Sequence, residues 1–299
     1  MMGPILASFA RVEIERVEEI IEYIGALYRM GKISQDAAVA LLKMETDMQL
    51  YNSTIGRNIN FRFADHSSVW KNPNRLRFFK RLVTRDGSAA VQRIIQEQPI
   101  YQNQTHDQLM NFDIHYASFG ERLRILEMIR HPVDLIDSWL RRGWGDRFGT
   151  DPLALTFCFS YKGQDVPYYA LGFEELYLDS TPLGRVIHMI ARLWDDSTSA
   201  YYSLPPEKQR QVLIISFEDF AQRPHSYLDP LSKFLGDTPT RHTPSALKRQ
   251  NCPRVYSTET REQKQGLIEG EATVVEQELL YRLIEEYETL ADAVAIKDE

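Results

Sequence analysis

The sequence predicts an α/β fold with a parallel sheet flanked by helices. Two strand–turn–helix units carry this expectation. In the first, the apolar run 123–129 meets Arg130-His131-Pro132 and then a helical pattern over 133–142. In the second, 212–217 is followed by Glu218-Asp219 and a helix over about 225–235 that stops at Gly236. Between them, residues 184–203 repeat apolar positions at helical spacing, with Val186, Ile187, Ile190, Leu193 and Trp194 on one stripe. Strands alternating with helices imply parallel pairing. The 299 residues are 43% apolar and 26% charged, ordinary for a globular chain.

The other elements follow in order. Val12, Val17, Ile20, Ile21, Ile24 and Leu27 form one helical stripe, with Gly31 as its stop. Ser34 is placed to cap a second helix whose Val39, Leu41, Leu42, Met48 and Leu50 face inward. Residues 52–74 read as irregular, and helices are expected over 75–82 and 88–98. Pro132 suits a first helical position, where its missing N–H costs nothing, and Asp134 complements the positive helix end. A last helix is expected over 273–293, with Leu279, Leu280, Leu283, Ile284 and Leu290 inward. The whole chain reads as a single domain, 1–299. Residues 1–110 are mainly helical and basic, 111–240 form the strand–helix core, and 241–299 form a loop and an acidic terminal helix.

Charge narrows the function. The formal net charge of −7 argues against a general nucleic-acid binder, so no nucleic-acid partner is expected. Residues 57–93 nevertheless carry nine basic side chains against Asp65 and Asp86, 9 − 2 = +7. This block is either a local anion trap or a solvated helix face. No apolar stretch is long enough to span a bilayer, and the start of the chain lacks a charged signal-peptide region. Cys158 and Cys252 have no metal-ligand spacing, so no metal is expected. A cytoplasmic location is the default for the chain as given.

In an open parallel sheet, ligands sit beyond the carboxyl ends of the strands. Arg130 stands at such an end, just before a helix N-terminus whose N–H groups attract phosphate. Ser138 follows eight residues on, with a hydroxyl that could reach the same anion. A simple cap or an ion pair is the competing reading of Arg130.

The run Arg130-His131-Pro132-Val133-Asp134-Leu135-Ile136-Asp137-Ser138 resembles the 3′-phosphate motif of sulfotransferases that use 3′-phosphoadenosine 5′-phosphosulfate (PAPS). Downstream, Phe217-Glu218-Asp219-Phe220, Pro224 and Phe234-Leu235-Gly236 are similar to a second signature of that family, in the family's order. The resemblance spans roughly 113–236. It implies a P-loop-like sulfotransferase fold and PAPS as co-substrate. It also implies a sulfuryl group passed to a hydroxyl or amine of a small-molecule or carbohydrate acceptor. On this reading Arg130 and Ser138 hold the 3′-phosphate, and Phe217 stands beside the adenine. Core packing is the alternative role for Phe217. His115 is the candidate base, since an imidazole titrates near neutrality; His106 and His66 are the other candidates.

One family element is missing from the sequence. The glycine- and serine-rich loop that cradles the 5′-phosphosulfate, with the strand before it, has no counterpart. The expectation is either an N-terminally truncated chain or a degenerate member, binding PAPS poorly as written. The alternatives are a non-catalytic scaffold on the same fold and another P-loop-type nucleotide-dependent transferase. The stretches Lys248-Arg249-Gln250-Asn251 and Lys264-Gln265-Gly266 are candidates for the family's late glycine-containing loop. The aromatic-rich segment 143–173 forms either an acceptor pocket or packed core.

Overall fold

The computed structural model describes residues 1–15, 18–65, 67–72, 74–106, 108–255 and 258–296, without the side chains of 258 and 259. Val17 and His66 lie outside the described residues. Helices α1 (Met2–Leu6), α2 (Glu19–Arg29), α3 (Gln35–Thr54), α4 (Arg75–Arg81), α5 (Ser88–Glu97) and α6 (Phe112–Phe119) precede the first strand, β1 (Ile125–Ile129). Then come α7 (Pro132–Arg141), strands β2 (Cys158–Tyr161) and β3 (Gln164–Pro167), and helices α8 (Glu174–Asp179), α9 (Pro182–Ser203) and α10 (Pro206–Gln209). After β4 (Val212–Ser216), helices α11 (Phe217–Gln222), α12 (Leu228–Leu235), α13 (Thr243–Arg249), α14 (Thr258–Glu271) and α15 (Val274–Val294) complete the chain. The fold is mixed α/β and mostly helical.

Among the described residues the parallel sheet is narrow. It consists of β1 and β4, paired in the register Ile125↔Val212 through Ile129↔Ser216. Side-chain alternation gives this pair two apolar faces. Ile129, Val212 and Ile214 pack with Tyr287 and Leu290 of α15 and with Phe112. Ile215 packs on the opposite side with Phe9, Phe220, Tyr227 and Leu231. The two strands are therefore buried between helical layers, as a parallel pair requires.

Local chemistry sets the element ends. Ser34 accepts a hydrogen bond from the Ala37 amide at 3.3 Å, and Pro132 occupies the first turn of α7. Gly236 closes α12 at φ 60°, a left-handed position that a side chain resists. Thr273 and Glu276 form a reciprocal capping box at the start of α15.

The opening stripe is not one helix. Residues 11–13 run extended, with Val12 bridging Ile100 in parallel, and α2 begins only at Glu19. The Glu13 amide donates to the Ile100 carbonyl at 2.9 Å, and that pairing wins over helical continuation. On α3, Leu42 is buried but Leu41 and Met48 are exposed; Ala38, Gln49 and Ser53 complete the inward face. The segment 143–173 contains the antiparallel hairpin β2–β3, which periodicity did not announce. Its turn, Lys162 and Gly163, has φ of 50° and 80°, both positive as a tight two-residue hairpin needs. The segment 241–299 is mainly helical rather than a loop followed by one helix.

Three cations of the basic block, Arg77, Arg81 and Arg93, are consumed by ion pairs within the protein. Arg81 is 1% exposed and is held by both Glu13 and Glu97, at 2.7 and 2.9 Å. Arg77 reaches Glu13 at 2.8 Å, and Arg93 reaches Glu97 at 3.1 Å. The two balancing acids lie outside the 57–93 window, so local charge counting missed them. Burial pushes the Glu13 carboxyl up, but the Arg81 hydrogen bond and the charges of Arg77 and Arg81 outweigh it and leave it below the usual range.

Removing one partner of a buried ion pair strands the other. Arg81→Ala should therefore cost about 3–5 kcal/mol of unfolding free energy. Arg62→Ala, which breaks only an exposed pair with Asp65, should change it by less than about 1 kcal/mol. Urea denaturation of both variants checks this, and equal losses would contradict it.

Candidate functional site

The carboxyl ends of β1 and β4 lie side by side because Ile129 pairs with Ser216. The next residues, Arg130 and Phe217, consequently stand next to each other. The Arg130 guanidinium carbon lies 5.0 Å from the centre of the Phe217 ring, and Arg254 lies 5.1 Å from the same ring. Both are within cation–π range. Phe217 is thus half-buried and serves as a platform for two cations.

Beneath this platform the strand ends are tied together by Glu218. Its Oε1 accepts from the His131 amide at 3.2 Å, and its Oε2 accepts from the Tyr287 hydroxyl at 2.5 Å. Tyr287 also meets the Ser216 hydroxyl at 3.0 Å, and its phenol is pushed well up by burial and by the Glu218 charge. His131 caps α7, its Nδ1 accepting from the Val133 amide at 3.3 Å. Burial, with the Arg261 charge, lowers its pKa to about 4, so the ring is neutral at pH 7.

Asp134 takes two cations from α14: Arg261 Nε at 3.0 Å and Lys264 Nζ at 2.6 Å. Lys264 also reaches Asp137 at 3.3 Å. Burial raises the Asp134 carboxyl, but Lys264 and Arg261 outweigh it and hold it below the usual range. Lys264-Gln265-Gly266 is therefore helix interior, and Lys264 acts as an ion-pair partner. The other loop candidate, 248–251, ends α13, and Arg249 donates to the Lys71 carbonyl.

Arg130 differs from these neighbours. Its Nε is buried and has no hydrogen-bond partner, and no carboxylate pairs with it among the described residues. A buried donor left unmade costs roughly 1–3 kcal/mol, which an anion on this guanidinium would relieve. Ser138 lies on α7 six residues past its first residue, Pro132, about 9 Å of helix rise. No hydrogen bond joins Arg130 to Ser138 among the described residues. Asp134, with its two cations, occupies the intervening turn of α7.

His115 stands inside α6, not at a strand end, and is buried. Its Nε2 meets Gln108 Oε1 at 2.6 Å. Burial drives its pKa down to about 4, against a weak upward pull from Asp113. The ring is thus enclosed and bound to Gln108 rather than open to solvent.

His106 is better placed. Its side chain is half exposed, and its Nδ1 lies 3.1 Å from Glu22 Oε2. Glu22 sits in α2 and is itself buried. It also receives the hydroxyls of Tyr168 at 2.6 Å and Tyr169 at 3.1 Å. Burial raises the Glu22 carboxyl, but the hydrogen bonds and charge of His106 and the Tyr168 hydroxyl outweigh it, keeping it ionised at neutral pH. An ionised carboxylate on Nδ1 fixes the tautomer whose Nε2 carries the basic lone pair. Trp144 stands edge-on to His106 at 5.9 Å, and Trp139 of α7 contacts Trp144 at 4.8 Å. Helix α7 therefore links the strand-end cations to the aromatic surroundings of His106.

No group of three or more His, Cys, Asp or Glu that could hold a metal occurs among the described residues. No helix among them is long and apolar enough to cross a membrane.

His115 carries a pH signature. Its folded pKa lies below its unfolded value of 6.5, so the unfolded chain binds more protons between them. Stability is complete above about pH 6.5 and is lost as pH falls toward 4. The His115 share is of order 3 kcal/mol at most, from a shift to about 4. Urea unfolding at pH 7.5 and pH 4.5 measures it. The fall should be smaller in His115→Gln, and an identical fall in both proteins would contradict the assignment.

Scans of the chain against protein-family models, curated proteins and solved structures find no match.

Proposed function

We propose that this protein is sulfotransferase-like and binds the 3′-phosphate end of PAPS at the carboxyl ends of β1 and β4. One observation carries the reading: the Arg130 guanidinium is free of carboxylates among the described residues and has a buried, unmatched donor, in a sequence context that resembles the family's Arg-x-Pro-x-Asp-x-x-x-Ser motif. A guanidinium over an aromatic face keeps a permanent charge, and its forked donors match a phosphate. Phe217 then positions Arg130 and Arg254, with adenine beside this platform. Ser138 contributes from the second turn of α7.

On this reading His106 replaces His115 as the base. Sulfuryl transfer passes in line between two oxygens. The acceptor oxygen bonds to sulfur as the bond from sulfur to the phosphate oxygen breaks. Adenosine 3′,5′-bisphosphate leaves, and the acceptor proton moves to His106 Nε2. Glu22 stabilises the imidazolium that forms, as a carboxylate does in any such dyad. Rate is gained mainly by positioning and by cations facing the developing charge. The acceptor, a small molecule or a carbohydrate, approaches along Trp144.

Isothermal titration with adenosine 3′,5′-bisphosphate tests the donor half. Arg130→Ala should lose about 2–3 kcal/mol of binding, roughly 30- to 150-fold in Kd. His106→Asn should leave nucleotide affinity unchanged, because it acts on the acceptor. Unchanged affinity in a folded Arg130→Ala protein would overturn the site.

A further inference from the structure

Away from the strand ends, residues 61–83 present an exposed surface of aromatic and aliphatic side chains. Phe63 stacks on Trp70 at 5.2 Å, and Trp70 meets Phe61 at 6.1 Å and Phe79 at 5.3 Å. Leu76 precedes Phe79 by three residues on α4, so helical spacing sets the two side by side, and Val83 follows just past the helix end. These side chains do not fill a groove. Phe63 is 72% exposed, Leu76 71% and Val83 85%. Scattered apolar side chains on a surface are ordinary, whereas a contiguous set this exposed marks an interaction site. The one polar atom of the Trp70 ring, Nε1, donates to the Phe61 carbonyl at 3.1 Å, which leaves the rings apolar.

Exposed cations are interleaved with this patch along the chain. Arg77, Arg81 and Arg93 are consumed by Glu13 and Glu97, but the remaining basic residues of the block point to solvent. Arg75, Lys80 and Arg85 are exposed and make no ion pair among the described residues. Lys71, next to Trp70, reaches only the Ala64 carbonyl. Arg57 and Arg62 meet Asp86 and Asp65 across exposed pairs. In a chain of net charge −7, the six exposed cations of residues 57–85 set against Asp65, and Asp86 beside them, leave 6 − 2 = +4.

We infer that this face docks the protein peripherally on an anionic lipid bilayer. Phe63, Leu76 and Val83 would enter the headgroup–acyl boundary while Lys71, Arg75 and Lys80 meet lipid phosphates and carboxylates. Aromatic rings favour that boundary, and basic side chains are drawn to anionic leaflets. A nucleic acid would match the cations but would leave Leu76 and Val83 exposed to water. Protruding single side chains also suit a fluid surface better than a protein partner, which needs a complementary pocket for each.

Co-sedimentation with vesicles tests the inference on the whole chain, at 50 mM NaCl. Vesicles of phosphatidylserine and phosphatidylcholine should bind the protein at least tenfold more tightly than phosphatidylcholine alone. Raising salt should weaken that binding, as screened charges require. Phe63→Ser with Leu76→Ser, and separately Lys71→Glu with Lys80→Glu, should each weaken it at least fivefold without lowering the melting temperature. In the unaltered protein, lipid brominated near the headgroup should quench tryptophan fluorescence, and Trp70→Phe should remove that quenching. No sedimentation with anionic vesicles would overturn the inference. So would an absence of quenching in the unaltered protein, or tighter binding to a single-stranded oligonucleotide than to the vesicles.

Discussion

Parallel pairing of Ile129 with Ser216 sets two chain reversals against each other, and the remainder of the site is arranged around that contact. Register alone makes Arg130 and Phe217 neighbours, and a slip of one residue would send each side chain to the other face. Glu218 secures the register from below by accepting the His131 amide and the Tyr287 hydroxyl, so α15 is fastened to both strand ends. The apolar layers on either side of β1 and β4 keep these polar bonds away from water, where they are stronger than at the surface.

Electrostatics then separates the buried cations answered by carboxylates from Arg130. Arg261 and Lys264 answer Asp134, and Arg81 answers Glu13 and Glu97. In each case desolvation of a carboxylate is offset by a guanidinium or ammonium within hydrogen-bond distance. Arg130 makes no such pair among the described residues and rests on an aromatic ring. Helix α7 begins beside it and carries Trp139, which packs toward Trp144 and His106. One rigid helix thus sets the distance between the proposed donor anchor and the proposed acceptor base.

Much of this was legible in the sequence where the signal is local. The strand–turn–helix units, the caps at Ser34 and Pro132 and the stop at Gly236 depend on neighbouring residues, and they stand in the structure. Arg130 and Phe217 were readable because each follows a short apolar strand. What sequence could not give is long-range. Glu13 lies 68 positions from Arg81, so the block 57–93 looked like open positive charge. Glu22 lies 84 positions from His106, and no spacing rule joins them. The family resemblance favoured His115 for its place ahead of the Arg130 strand, but the structure buries it beside Gln108. Val12 continued a helical stripe on paper, and a backbone pairing with Ile100 decided otherwise.

The most direct measurement is a crystal structure of the protein with adenosine 3′,5′-bisphosphate. The account predicts a phosphate within hydrogen-bond distance of the Arg130 guanidinium, beside Phe217, with Asp134 still holding Arg261 and Lys264. A ligand bound elsewhere, with Arg130 paired to a carboxylate, would contradict it.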